Sequence, residues 1–392
     1  MSIPSVRLKE LCEVITKGTT PTSLGFDFAD NGVGFIRVQN VTGGKVNYEQ
    51  DTLFIDEHVH RELNRSQILP GDVLLSIAGT IGRTGLVPEN APPLNCNQAI
   101  AIVRPTDRVY RPYLRHWLEC NDAQSQMRGS TVMGTIQNLS LAQIGSLRVP
   151  LPPLPKQRRI AAILDQADAL RAKRREALAQ LDSLIQSTFI EMFGDLTKNP
   201  KNFSVQSFGN ICDVRDGTHD SPKYVSSGFP LVTTKNLRNG KIDFSGVNLI
   251  SEADYHAINK RSKVNKGDIL MPMIGTIGNP ILVDEQLDFA IKNMALIKFT
   301  NNSPQRQFIL GFLKSKCFKR LVVSKNKGGT QKFLALGEIR ALPIPVPPQP
   351  LQKTFSDVIE MIQQHASKFT NSLTELDILF ASLQHRAFRG EL

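Results

Sequence analysis

Three polar loops, each written twice along the chain, hold the side chains best suited to chemistry. In the second half they are Asp216-Gly-Thr-His-Asp-Ser-Pro-Lys223, Thr233-Thr-Lys-Asn236 and Ser324-Lys-Asn-Lys-Gly-Gly-Thr-Gln-Lys332. These supply Thr218, His219, Lys223, Lys235, Asn236, Lys325, Lys327, Thr330, Gln331 and Lys332 as candidates. The first half matches them with Lys17-Gly-Thr-Thr-Pro21, Arg37-Val-Gln-Asn40, and Arg128-Gly-Ser-Thr131 with Thr135-Ile-Gln-Asn138. There the candidates are Lys17, Thr19, Arg37, Gln39, Asn40, Arg128, Thr131, Thr135, Gln137 and Asn138. Asn and Gln can pair with an adenine edge, Lys and Arg with guanine or phosphate, and small hydroxyls with either. Any one of these loops also reads as an ordinary polar turn. Their recurrence at equivalent places in both halves favours a binding surface.

Catalysis leaves no comparable mark. The chain has no GxxxxGK[ST] phosphate loop, no GxGxxG after a strand, no HExxH and no GxSxG elbow. It also lacks the Asx-Pro-Pro-aromatic tetrapeptide that amino-methyltransferases use, so no catalytic residue is expected. Its 7 histidines are scattered, and its 5 cysteines (Cys12, Cys96, Cys120, Cys212, Cys317) show neither CxxC nor a histidine at ligand spacing. Reduced, structural thiols and no metal site are the expectation. Gly79-Thr-Ile-Gly82 and Gly275-Thr-Ile-Gly278 have two readings: tight turns that need positive φ, or backbone approaching a phosphate.

Charge narrows the partner. The 392 residues carry a net charge of +11, yet residues 1–155 hold 14 basic and 14 acidic side chains. Residues 196–350 hold 22 basic against 11 acidic, so the whole excess lies there. A basic excess in one domain suits a polyanion, most simply nucleic acid, although soluble lysine-rich surfaces look the same. No run approaches the length of an apolar membrane span, and the N-terminus MSIPSVRLKELCEVI lacks a signal-peptide core, so a cytoplasmic location is expected.

The loops sit in a duplicated frame. Pro70-Gly-Asp-Val-Leu-Leu75 before Gly79-Thr-Ile-Gly82 answers Lys266-Gly-Asp-Ile-Leu270 before Gly275-Thr-Ile-Gly278. Asn97-Gln-Ala-Ile-Ala-Ile-Val103 answers Lys292-Asn-Met-Ala-Leu-Ile-Lys298. β-rich runs such as Val73–Ile77 and Ala99–Val103 alternate with turn residues, and short helices follow near Tyr113–Ser125 and Arg306–Val322. Each copy then reaches a proline run and a long helix, giving an α+β fold with an internal pseudo-twofold repeat. The divisions are 1–155 (first recognition domain), 156–195 (central helix), 196–350 (second recognition domain) and 351–392 (C-terminal helix).

The two long helices, Lys156–Phe193 and Gln352–Phe388, share one apolar register. Ile160, Ile163, Leu170, Leu178, Leu181 and Ile185 mark the seam of the first, with Arg174 interrupting it. Val358, Ile362, Phe369, Leu373, Leu376, Phe380 and Leu383 mark the second, with His365 standing where the first has Leu170. Matching seams predict an antiparallel coiled-coil pair that holds the two domains apart. A helix of this length measures about 57 Å, comparable with one and a half to two turns of B-DNA at about 34–36 Å each. The cluster Arg171-Ala-Lys-Arg-Arg175 reads as a solvated face, a DNA contact or a docking point.

Together these residues resemble the specificity subunit of type I restriction–modification systems. The resemblance spans the whole chain. It is carried by the duplicated Gly-Asp-[Val/Ile]-Leu … Gly-Thr-Ile-Gly stretch, by Asp216-Gly-Thr-His-Asp-Ser-Pro-Lys-Tyr224, and by the hinge Val149-Pro-Leu-Pro-Pro-Leu-Pro-Lys-Gln157. The second hinge, Ile344–Lys353, and the endings Phe193-Gly-Asp-Leu196 and Phe388-Arg-Gly-Glu-Leu392 add to it.

The resemblance implies two target-recognition domains on double-stranded DNA, each reading half of a bipartite site, with the helix pair setting the spacer. Two methyltransferase (modification) subunits using S-adenosylmethionine would methylate adenine. Motor/nuclease (restriction) subunits using ATP and Mg would cleave. The chain itself would be non-catalytic, with no cofactor of its own. It departs from a simple picture in one respect: the neutral first domain would need a partner to neutralise much of the phosphate charge. Two other readings are a coiled-coil protein scaffold that binds no DNA and the detached recognition half of a single-chain restriction–methylation enzyme. Salt-dependent duplex binding separates the scaffold from the rest, and residual methyl transfer by the chain alone would mark the third.

Overall fold

The computed structural model of the chain describes residues 3–129, 138–238, 240–273, 279–325 and 334–392. Its contacts divide into two units: residues 1–175 with 371–392, and residues 176–370. Each unit therefore takes in part of both long helices.

Both units build the same frame. In the first, described strands form a sheet in the order Cys12–Lys17, Ile100–Pro105, Val73–Ser76, Thr84–Leu86, Gly44–Val46, Val41–Thr42. A second sheet runs Leu53–Ile55, Val33–Ile36, Leu94–Cys96, Gln67–Ile68. The second unit answers with Asp213–Asp216, Met294–Lys298, Ile269–Pro272, Ile281–Leu282, and with Tyr224–Val225, Asn248–Ile250, Phe229–Val232, Ala290–Ile291. Strands such as Val73–Ser76 and Ile269–Pro272 are buried on both faces, which is why they read as unbroken apolar runs. Two short helices follow in each unit, Arg111–Glu119 with Asn121–Gly129 and Arg306–Lys314 with Lys316–Lys325.

The repeated Gly-Asp motif is structural. Asp72 is 1% exposed; it accepts Leu69 N and takes two 2.8 Å bonds from Arg104 on the neighbouring strand. Its counterpart Asp268 accepts Asn265 N and pairs with Lys298. In both, a buried carboxylate closes the turn and is neutralised by a strand cation.

The helices span Leu154–Phe193 and Gln349–Arg389. Both start two or three residues before the expected position, because Pro155 and Pro350 sit in the first turn, where no N–H partner is needed. Gly194 (φ 74°) and Gly390 (φ 87°) end them in the left-handed conformation, so the Phe-(Arg)-Gly-acidic-Leu echo is a helix stop.

The helices pack on each other in both units, and in the first they run antiparallel. In the first, Lys156 Nζ donates to Gly390 O, Arg171 Nε to Asp377 Oδ1 at 2.6 Å, and Tyr113 packs edge-on to Phe388. In the second, Phe189 and Phe193 close on Phe355 at 5.6 and 5.2 Å between ring centres. Ile160, Leu164, Ile359, Ile362 and Phe380 are buried, and Ile163, Leu178, Leu181, Ile185, Val358, Phe369, Leu373, Leu376 and Leu383 are half-buried.

Leu170 corrects the expected seam. It is 55% exposed, and its repeat-equivalent His365 is exposed as well. A straight α-helix gains about 20° per heptad on a 3.5-residue pattern, which carries position 170 off the contact face and brings 171 onto it. Arg171 lies there over the Phe380 ring at 4.2 Å, and Arg175 also donates to Asp377. Two arginines of the 171–175 cluster thus tie the helix pair together instead of facing solvent alone.

Candidate nucleic-acid interface

One sheet edge gathers most of the candidate loops in each unit. In the first, Val33–Ile36 and Leu94–Cys96 are parallel, so Arg37 and Asn97-Gln98 leave their sheet on the same side. In the other sheet Cys12–Lys17 runs antiparallel to Ile100–Pro105, which brings Lys17 beside Ala101. Strand Val73–Ser76, also antiparallel to Ile100–Pro105, ends there too, and Leu139 N donates to Ile77 O. Thr19 N to Cys96 O (3.0 Å) and Asn97 N to Ile36 O (3.2 Å) stitch the loops together.

The second unit repeats this. Phe229–Val232 is parallel to Ala290–Ile291, Thr218 N donates to Ile291 O, Lys292 N to Val232 O, and Leu334 N to Met273 O. A Cβ at Gly18 would fall 2.1 Å from Cys96 O, and one at Gly217 would fall 2.3 Å from Ile291 O. Only glycine lets either loop cross the strand end so closely.

Side chains at this edge form matching constellations. In the first unit Arg65 Nη2 donates to Thr19 Oγ1 at 3.2 Å, and Thr20 Oγ1 bonds to Gln98 Oε1. In the second, His219 bridges Asn293 Oδ1 and Asp216 Oδ2, each at 2.9 Å. Arg261 reaches Asp216 and the Gly217 carbonyl, and Lys292 Nζ donates to Ser221 Oγ at 2.6 Å. Hydrogen bonds to Asn293 and Asp216 raise the His219 pKa above the ordinary 6.5, favouring a cation that faces solvent.

Arg65 with Gln98, and Arg261 with Lys292 and Asn293, were not among the candidates read from sequence. Their signal was present: the aligned stretches Asn97-Gln98 and Lys292-Asn293 carry amides and a cation at one position of the repeat. Arg65 and Arg261 also stand one repeat length apart.

Two candidates are corrected. Asn40 is 2% exposed: its Oδ1 accepts Arg37 N, and its Nδ2 donates toward the Gln50 and Asp51 carbonyls. Asn236 is held alike, accepting Thr233 N and donating to Asp243 O. Both amides close a tight turn, which takes up the Oδ1 acceptor and Nδ2 donation of Asn40 and the Oδ1 acceptor and one Nδ2 donor of Asn236. What these turns expose are the flanking Gln39 and Lys235. Arg37 is half-buried and donates to Asp51 O at 2.7 Å.

Lys17, Asn138, His219 and Lys223 are exposed, while Thr19 and Thr218 are half-buried. Arg128 is an exposed residue near the end of helix Asn121–Gly129, where its Nη2 donates to Ser125 Oγ. Lys325 ends the helix Lys316–Lys325. Thr131, Thr135, Gln137, Lys327, Thr330, Gln331 and Lys332 lie outside the described residues, as do Gly275–Gly278.

The Gly79–Gly82 loop is a turn in this structure. Gly79 and Gly82 have φ of 72° and 90°, Ser76 Oγ donates to Thr80 O, and Gln124 Nε2 donates to Gly82 O at 3.0 Å. No group of histidine, cysteine and carboxylate residues able to hold a metal ion occurs among the described residues. No described helix is long and apolar enough to cross a membrane.

A sheet edge carrying Arg, Lys, His, Gln and Thr side chains can hold phosphates with its cations and read base edges with its amides and hydroxyls. The family model for the type I restriction modification DNA specificity domain matches residues 4–180 and again 200–375. The specificity subunit of the type I restriction enzyme EcoBI of Escherichia coli is 24% identical over 96% of this chain and 84% of its own length. That of EcoKI from Escherichia coli K12 is 21% identical over 93% and 83%, and that of MjaIX from Methanocaldococcus jannaschii is 22% identical over 95% and 89%. Among solved structures, a chain from a type I R-M system aligns over 100% of this one and 98% of its own, at TM-score 0.53 and 18% identity. The S subunit of a type I restriction-modification system from M. genitalium aligns over 98% and 95%, at TM-score 0.50 and 16% identity.

Proposed function

We propose a function from one premise: the chain belongs to the type I restriction modification DNA specificity family, whose domain it carries twice. In this reading each unit lays its loop-bearing sheet edge against duplex DNA and reads one half of a bipartite target. Cations such as Lys17, Arg65, Lys223, Lys235 and Arg261 hold phosphates. Gln39, Gln98, Asn138 and Asn293 are the amides available for base edges. The antiparallel helices act as the spacer that sets the unread gap.

Chemistry comes from partners. Two modification subunits with S-adenosylmethionine methylate adenine, restriction subunits with ATP and Mg cleave, and the complex works in the cytoplasm. The observation that carries this reading is the double family match, joined to the convergence of matching polar loops on one edge of each unit.

Methylome mapping in cells with and without the chain is the direct test. A two-part adenine-methylated motif is expected only when the chain is present; an unchanged methylome would reject the proposal. Removing four residues, about one turn, from both long helices is expected to shorten the tolerated gap. A gap of the same length would leave target reading intact and remove the spacer role.

A further inference from the structure

The second unit holds a groove of about 1340 Å³ between the central helix and the helices Arg306–Lys314 and Lys316–Lys325. Its floor is apolar, with Ile185, Phe189 and Ile190 from the central helix and Ile281 opposite. Gly311 lets two rings pack on its backbone: a Cβ there would lie 2.7 Å from the Phe189 ring and 3.3 Å from that of Phe355. The rim is basic, carrying Lys314, Lys316, Lys319 and Arg320 against Asp182 and Asp195. Arg320 is paired with Asp195. Lys314 is exposed at the rim; partial desolvation of its ammonium lowers its pKa, with Asp182 pulling the other way. Lys316 and Lys319 have no ion pair among the described residues.

The basic rim belongs to one copy of the repeat only. Where the second unit has Gly311, Lys314, Lys316, Lys319 and Arg320, the first has His116, Glu119, Asn121, Gln124 and Ser125. In the first unit the matching side chains are bonded within their own unit. His116 is fully buried with Nε2 2.7 Å from Asp165, Glu119 accepts from Thr84 and Arg115, and Gln124 is bonded to Gly82. Positions held in a polar network in one copy line a cation-rimmed groove in the other.

We infer that this groove docks an acidic amphipathic segment of a partner polypeptide, at one site per chain. The apolar floor selects against a bare phosphodiester backbone, which has no greasy face to bury. The rim lysines select for carboxylates on the opposite side of the segment. The inference rests on the groove alone and holds whether or not the sheet edges read DNA.

The test is fluorescence anisotropy on the full chain. The probe is a labelled synthetic peptide of about four helical turns, with leucines on one face and glutamates on the other. Saturable one-to-one binding is expected, weakened about tenfold by Lys316→Glu with Lys319→Glu at unchanged Tm. The same charge reversal at Lys260 and Lys266 is expected to do much less. Equal loss from both pairs would show only general attraction to a basic domain, and overturn the inference. So would unchanged binding in the groove variant, two sites per chain, or displacement of the peptide by duplex DNA from the same lysines.

Discussion

Gln157 and Gln352 show how a single side chain joins each domain to its helix. Both are fully buried. Gln157 accepts Tyr110 N at 2.7 Å and donates to Pro152 O; Gln352 accepts Gln305 N at 2.7 Å and donates to Pro347 O. Each satisfies a carbonyl of its proline run. Gln157→Leu leaves Tyr110 N and Pro152 O unpaired, so a loss of about 1–3 kcal/mol is expected in urea unfolding. Asp72→Ala strands Arg104 against the buried turn, and its expected cost is larger, about 3–5 kcal/mol.

His219 yields a pH signature. Its folded pKa is raised, so its positive charge is present below 6.5 and lost as pH climbs through the higher folded value. Duplex binding is expected to weaken across that window, and His219→Ala to flatten the dependence. A titration of binding against pH that is identical in both proteins would exclude a role for this imidazolium.

At the scale of elements, the helix seam separates pattern from geometry. The register of apolar residues names the two partners, and in the first unit the pairs 156 with 390 and 171 with 377 give their antiparallel sense. Which side chains touch depends on helical drift, which moves Leu170 out and Arg171 in. Leu164→Ala is therefore expected to cost about 3 kcal/mol in thermal or urea unfolding. Leu170→Ser should stay within about 0.5 kcal/mol. A Leu170→Ser loss as large as that of Leu164→Ala would mean the helices pack on another face.

The loops follow the same division. Gly18 and Gly217 look like turn residues in sequence, but the strand-end carbonyls beside them explain why glycine is required. Asn40 and Asn236 look like base readers by residue type. Their turns take up the amides, a use that depends on three-dimensional closure with Gln50 and Asp243.

For the whole molecule, the charge excess in residues 196–350 predicts unequal dependence on salt. Reversing Lys223 and Lys235 is expected to reduce the slope of log K against log salt by about one per lost phosphate contact. A slope unchanged by both reversals would place the DNA elsewhere.

The duplication, the long helices with their proline entries and the absence of catalytic motifs were all legible in the sequence, because local periodicity and repetition survive without knowing what touches what. So was the polar character of the recognition loops. Only the tertiary structure decided that strand ends of two sheets bring loops 17–20, 37–40 and 97–98 together, and that Arg65 and Arg261 join the edge in their units. It also decided that equivalent positions take different partners, His116 pairing with Asp165 in one copy and Gly311 admitting the Phe189 ring in the other. Those outcomes come from contacts between residues far apart in the chain, and side-chain type alone does not encode which neighbour a folded sheet will bring.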